Sequence, residues 1–159
     1  MKNILVSIDF SSCARMVALC TAELAQAAGA RLILFHVYQA EAAETEGETD
    51  TTSERFVQAQ LDKLARQLHS KTGVSITRLM KPATVANEAM EIAKLVKADI
   101  AVVCDHSLQS KDILIYNYHN LPVITAATAF TLDSDNFKQH LSAQLNSLGC
   151  SPAPLLEAI

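Results

Sequence analysis

Short apolar runs alternate with stretches whose apolar residues recur every three or four positions. Ile4-Leu5-Val6-Ser7-Ile8 predicts a strand over 3–8, close to the middle of a sheet. Ser11 or Ser12 then offers a hydroxyl to the first free amides of a helix. That helix is predicted over 13–28. Val17, Leu24 and Ala28, with Ala14, Ala18, Thr21 and Ala25, share one face at i, i+3, i+4, i+7 spacing. Gly29 ends it as a left-handed cap. Leu32-Ile33-Leu34-Phe35-His36-Val37 predicts a second strand over 31–38. Strand, helix and strand form a βαβ unit, with parallel strands and a right-handed crossover.

The alternation continues. Thr52 or Ser53 caps a helix over 54–70, with Val57, Leu61, Leu64, Ala65 and Leu68 inward, and Gly73 ends it. A third strand is predicted over 74–80. Lys81-Pro82-Ala83 turns the chain, and Thr84 caps a helix reaching about Lys97, with Val85, Ala89, Ile92, Ala93 and Val96 as its stripe. Residues 99–104 form an apolar strand, 112–119 a helix-like segment, and 122–127 a last strand. Five strands alternating with helices predict an α/β fold: a five-stranded parallel sheet with helices on both faces. Ligands of such sheets bind beyond the strands' carboxyl ends, where the strand order reverses. If strands one and four flank that reversal, Asp9 and Asp105 face each other there.

Residues 131–159 read as an extension to a domain of residues 1–130. Asp133 or Ser134 caps a helix over 135–148, with Phe137, Leu141, Leu145 and Leu148 at helical spacing. Gly149 and a stiff Ser151-Pro152-Ala153-Pro154 segment follow. An apolar stripe at a chain end must cover something, either its own domain or a second subunit.

Composition narrows the classes. The chain has 159 residues, half of them hydrophobic, enough for one domain with a core. Net charge is −4, from 13 basic and 17 acidic residues, and no basic block occurs, which argues against nucleic-acid binding. Acidic residues gather in 39–52, a predicted solvated loop. No apolar run approaches the ~20 residues of a membrane span. The first residues reach Asp9 too soon for a signal peptide, so a cytoplasmic location and no membrane contact are expected. Cys13, Cys20, Cys104 and Cys150 show no C-x-x-C spacing. Cys104 ends a buried strand and reads as a small core residue. Cys13 and Cys20 share a helix face with Cα atoms roughly 10 Å apart, too far for a disulfide. They read as structural thiols, with redox sensing as the alternative.

Taken together, Ile4-Leu5-Val6-Ser7-Ile8-Asp9-Phe10-Ser11, the helix ending at Gly29-Ala30, Leu32-Ile33-Leu34-Phe35-His36-Val37, residues 82–93, Lys97-Ala98-Asp99-Ile100-Ala101-Val102-Val103 and Leu121-Pro122-Val123-Ile124 resemble the universal stress proteins. The likeness spans roughly residues 2–128. It implies a Rossmann-like fold, of the adenine nucleotide alpha hydrolase-like kind, with strand order 3-2-1-4-5. It also implies a role in stress response, and a homodimer formed through the last strand, which begins at Pro122 and ends at Ala127. As an apolar edge, that strand would need pairing or cover in any case. The helix over 135–148 offers a second surface.

Members of the family that bind ATP hold its phosphates with a glycine-rich loop after the fourth strand. Here Cys104 stands where the strand-ending glycine would be, and Ser107 where the first loop glycine would be. The later glycines have no counterpart, and the connection is shorter. Asp9 matches the family's acid near the nucleotide, and Val37 a position whose backbone meets adenine. Asp9 and Asp105 would also repel a triphosphate. ATP binding and other cofactors are therefore not expected.

The candidate ligand contacts are Asp9, Ser11, Val37, Asp105 and His106. Asp9 either orders its loop or meets a ligand. Asp105 and His106 either order a short turn or, with Asp9, hold a Zn²⁺ or Mn²⁺ ion. His36 reads as a core histidine with its hydrogen bonds satisfied. No Ser/His/Asp or Cys/His arrangement emerges, so no catalytic residue and no metal ligand is assigned. The leading expectation is a non-catalytic, dimeric protein-interaction module of the non-ATP-binding type. A nucleotide or small-ligand sensor is the alternative, and a metal-assisted hydrolase stands third.

Overall fold

Strands of Ile, Leu and Val that are apolar on both faces need cover on both faces. The computed structural model, which describes residues 2–38, 51–82, 88–105, 114–127 and 134–147, shows how that cover is supplied. The described elements are β1 (Asn3–Ser7), α1 (Ser12–Ala28), β2 (Arg31–Tyr38), α2 (Thr51–Thr72), β3 (Ile76–Pro82), α3 (Glu88–Leu95), β4 (Ile100–Asp105), β5 (Leu114–Tyr118), β6 (Leu121–Ala127) and α4 (Ser134–Ser147). The strands form one sheet in the order β3-β2-β1-β4-β6-β5. Val6 of β1 lies between Leu34 of β2 and Val102 of β4. Five strands run parallel, in the order expected from the resemblance, and β5 runs antiparallel to β6.

The sixth strand corrects the expected helix over 112–119. The reason is length. β4 has six residues and spans roughly 20 Å. A helix of that height takes about 13 residues. Only fifteen residues, 106–120, separate β4 from β6, too few for such a helix and a turn at each end. A strand descends the same height in five or six residues. His119 and Asn120 then turn the chain with φ of 47° and 70°, the sign a tight hairpin requires. Tyr118 pairs with Leu121, and Tyr116 with Val123. The strand that begins at Pro122 is therefore an interior strand of the sheet, flanked by β4 and β5, and not an edge.

Three helices, α1, α2 and α4, share one core on one face of the sheet. Ile4, Val6, Leu32, Leu34, Ile100, Val102 and Ile124 meet Val17 and Leu24 of α1 and Leu61, Leu64 and Leu68 of α2 there. Phe137, Leu141 and Leu145 of α4 join the same core, fully buried. Lys138 Nζ lies 2.7 Å from Glu23 Oε2, tying α4 to α1. The stripe of the C-terminal helix is thus covered by its own domain. That double cover explains why α1 also buries Cys20 and Ala22, outside its predicted face. On the opposite face, Ile92, Ala93 and Val96 pack over Leu5, Ile33, Phe35, Ala101 and Val123. Tyr118 joins this cluster, with Lys94 Nζ 5.0 Å from its ring centre. Among the described residues no helix is long and apolar enough to cross a membrane.

Two substitutions test the α4 packing by urea unfolding. Phe137→Ala is expected to cost about 3–5 kcal/mol; an unchanged midpoint would contradict the packing. The Ser142 hydroxyl is buried with no hydrogen-bond partner among the described residues. Ser142→Ala is expected to leave stability unchanged or raise it by about 1 kcal/mol.

Candidate functional site

The strand order reverses between β1 and β4, so the crevice lies at their carboxyl ends. β1 stops pairing with β2 at Ser7 and Phe35, whereas β2 pairs with β3 as far as Tyr38 and Pro82. Beyond Ser7, Ile8 N–H still donates to Phe35 O at 2.8 Å. Residues 36–38 therefore present one backbone edge to the crevice. Val37, half-buried, is among them and pairs with Lys81.

The chain leaving β1 is held by its own side chains. Asp9 is exposed, and its Oδ1 accepts from Ser11 N–H at 2.9 Å, the local bond that Asp forms in turns. Ser11 is the N-cap of α1, and its Oγ accepts from Ala14 N–H at 3.1 Å. Between them Phe10 takes φ 63°, which costs a non-glycine residue about 1–2 kcal/mol. That backbone position sets its ring 4.7 Å from the His36 ring and against the main core. His36 Nδ1 lies 2.6 Å from Ile8 O. Because the partner is a carbonyl, Nδ1 carries the hydrogen and donates. His36 thus fastens the end of β1 to β2, in agreement with its reading as a satisfied core histidine. Arg15 Nε donates to Phe10 O at 3.2 Å from the first turn of α1.

A pair of thiols completes the described part of the site. Cys13, in the first turn of α1, and Cys104, near the end of β4, are half-buried, pack against the same core and lie within hydrogen-bonding reach of each other. Burial pushes the Cys13 thiol above its ordinary value; the bond to Cys104 opposes this and the Asp9 charge adds to it. Burial pushes Cys104 up much further, and the charges of Cys13 and Asp9 act in the same direction. Cys20 is pushed up to about 11, chiefly by burial in the core. The sequence reading missed the Cys13–Cys104 pair, since the two lie far apart in the chain. The adjacency of strands one and four was the available signal: it brings the first turn of α1 beside the end of β4.

Of the predicted contacts, Asp9, Ser11 and Val37 gather at the ends of β1 and β2. Asp105 is the last residue of β4, level with Ala127 of β6. Its side chain, with the whole of His106 and Ser107, lies outside the described residues, as does Cys150. Among the described residues no three His, Cys, Asp or Glu side chains gather as a metal site would need.

The local role of His36 can be tested on stability. His36→Ala removes the donor to Ile8 O and the ring beside Phe10. The expected loss is about 1–3 kcal/mol in chemical unfolding; an unchanged stability would mean that the β1 end is held by other contacts.

The chain's relatives agree with this architecture. Residues 1–115 match the universal stress protein family model. No curated protein sequence matches. A universal stress protein family member from Burkholderia pseudomallei is similar in structure, at 25% identity and TM-score 0.54, over 67% of this chain and 83% of that one. The universal stress protein of Archaeoglobus fulgidus in complex with dAMP matches at 17% identity and TM-score 0.54, over 79% and 98%. A family protein from Arabidopsis thaliana with AMP bound matches at 15% identity and TM-score 0.54, over 80% and 92%. With a family match over most of its length and the expected parallel strand order around β1, the chain belongs to the universal stress protein family.

Proposed function

We propose that this chain is a non-catalytic family member that does not bind ATP and acts in stress response as a homodimer, through contacts with other proteins. The observation that carries this reading is β5. A phosphate grip in an α/β protein is a glycine-rich loop that leads into the N-terminus of a helix, whose free amides face the anion. Here residues 105–113 contain no glycine, and Leu114–Tyr118 is a strand. The segment that would supply the helix is spent on the sheet. Asp9, exposed at the mouth, adds negative charge where phosphates would sit.

The same strand makes a different edge the candidate dimer surface. β6, whose edge the resemblance gave to a partner, is occupied by β5. Among the described residues the outer strands of the sheet are β3 and β5. β3 is guarded by Lys81, Pro82 and Arg78, whose Nη1 lies 2.6 Å from Asp62 Oδ1. β5, Leu-Ile-Tyr-Asn-Tyr, has no charge and no proline, and Ile115 and Tyr116 are 39% and 46% exposed. Unguarded apolar edges recruit other strands. Antiparallel pairing of β5 with its copy extends the sheet across a two-fold axis.

A second reading is a mononucleotide sensor. Its motive is that the Archaeoglobus and Arabidopsis structures hold dAMP and AMP, which need no triphosphate grip. Asp9, Ser11, Val37, Asp105 and His106 would line the half-site.

Calorimetric titration separates the two readings. No heat with Mg-ATP or AMP at millimolar concentration is expected; micromolar AMP binding would put the sensor first, and micromolar ATP binding would overturn the reading of β5. In sedimentation equilibrium the wild type is expected to dimerise and Tyr116→Lys, which sets like charges across the two-fold, to weaken the dimer at least tenfold. A dimer unaffected by Tyr116→Lys would exclude this edge.

A further inference from the structure

Neither the family's nucleotide site nor the proposed dimer uses the thiols at the crevice. Cys13 sits on the first turn of α1, which the Ser11 cap holds in place. Cys104 sits on β4, which is paired on both sides by β1 and β6. Both side chains pack against the same core, on one face of the sheet and at its carboxyl end, within interaction range of one another. A disulfide would bring the two sulfurs to ~2 Å. Both residues are half-buried, so a small reagent reaches them, whereas Cys20 is 4% exposed within the core.

We infer that Cys13 and Cys104 form a redox-active dithiol that a hydroperoxide converts to an intramolecular disulfide across the mouth of the crevice. Cys13 is the sulfur that attacks the hydroperoxide first, because a first-turn position favours the thiolate more than a strand interior does. Its sulfur takes one oxygen from the hydroperoxide, the O–O bond breaks, and water or an alcohol leaves. The Cys13 sulfenic acid then meets the Cys104 sulfur. The S–S bond forms, the S–O bond breaks, and the hydroxide leaves as water with the Cys104 proton. Two thiols and one hydroperoxide give one disulfide, one water and one water or alcohol.

The bridge would tie the first turn of α1 to the end of β4. It closes a long loop containing β2, α2, β3 and α3, which restricts the unfolded chain and raises thermal stability. This inference does not rest on either reading of the nucleotide site.

The test treats the full chain with hydrogen peroxide, alkylates the remaining thiols after denaturation, and maps the peptides by mass. The expected product links the Cys13 and Cys104 peptides, with two hydrogens lost and Cys20 alkylated. The melting temperature is expected to rise by about 5 °C or more and to fall back with dithiothreitol. In Cys104→Ser, Cys13 is expected to stop at a sulfenic acid that dimedone traps. The variant with both Cys20→Ser and Cys150→Ser is expected to bridge as the wild type does. Bridging of either residue to Cys150 or to a second chain would overturn the inference. So would oxidation of the two thiols to sulfinic acids without a bridge.

Discussion

Between Asp105 at the end of β4 and Leu121 at the start of β6, the chain must return from the top of the sheet to its foot. It has residues 106–120 in which to do so. A helix rises about 1.5 Å per residue and a strand about 3.3 Å. That difference settles the architecture of this half of the molecule. The descent is made within the sheet as β5, and the sheet gains an antiparallel strand at its edge. The same economy leaves α3 as the described helix over the second face, with Tyr118 of β5 filling in beside it.

The consequences reach the crevice and the edge together. A helix after β4 would have turned its N-terminal amides towards the ligand and left β6 open to a partner. A hairpin does neither. What remains at the strand ends is a tightly ordered loop, in which Asp9 binds Ser11 N–H, Ser11 caps α1 and His36 holds Ile8 O. Beside it stand two thiols whose protonated form is favoured by burial and by the Asp9 charge. A change in the sulfurs would couple the first turn of α1 directly to β4.

Much of this was legible in the chain. The runs around Val6, Leu34 and Val102 gave the central strands, and the order around β1 followed from the family likeness. The stripes through Val17 and Leu64 gave α1 and α2. Phe137, Leu141 and Leu145 announced a buried face, though not what it would meet, because packing partners of a terminal helix are not written in its periodicity. β5 was misread for a physical reason. Leu114-Ile115-Tyr116 is apolar enough for either a short helix or a strand, and short runs carry no decisive period. Chain length to be bridged and the His119-Asn120 turn before Leu121-Pro122 were the better signals. The thiol pair was invisible to spacing within one element, since it depends on two elements meeting.

The central claim is that β5 completes the sheet edge within its own chain. Native-state hydrogen exchange measured at low and high protein concentration tests it most directly. The account predicts that the amides by which 114–118 and 121–127 pair with each other are protected together, and equally at both concentrations. Exchange of 114–118 at unfolded-chain rates, with protection of 121–127 appearing only as concentration rises, would contradict it. In that case a second copy, and not the hairpin, would be covering β6.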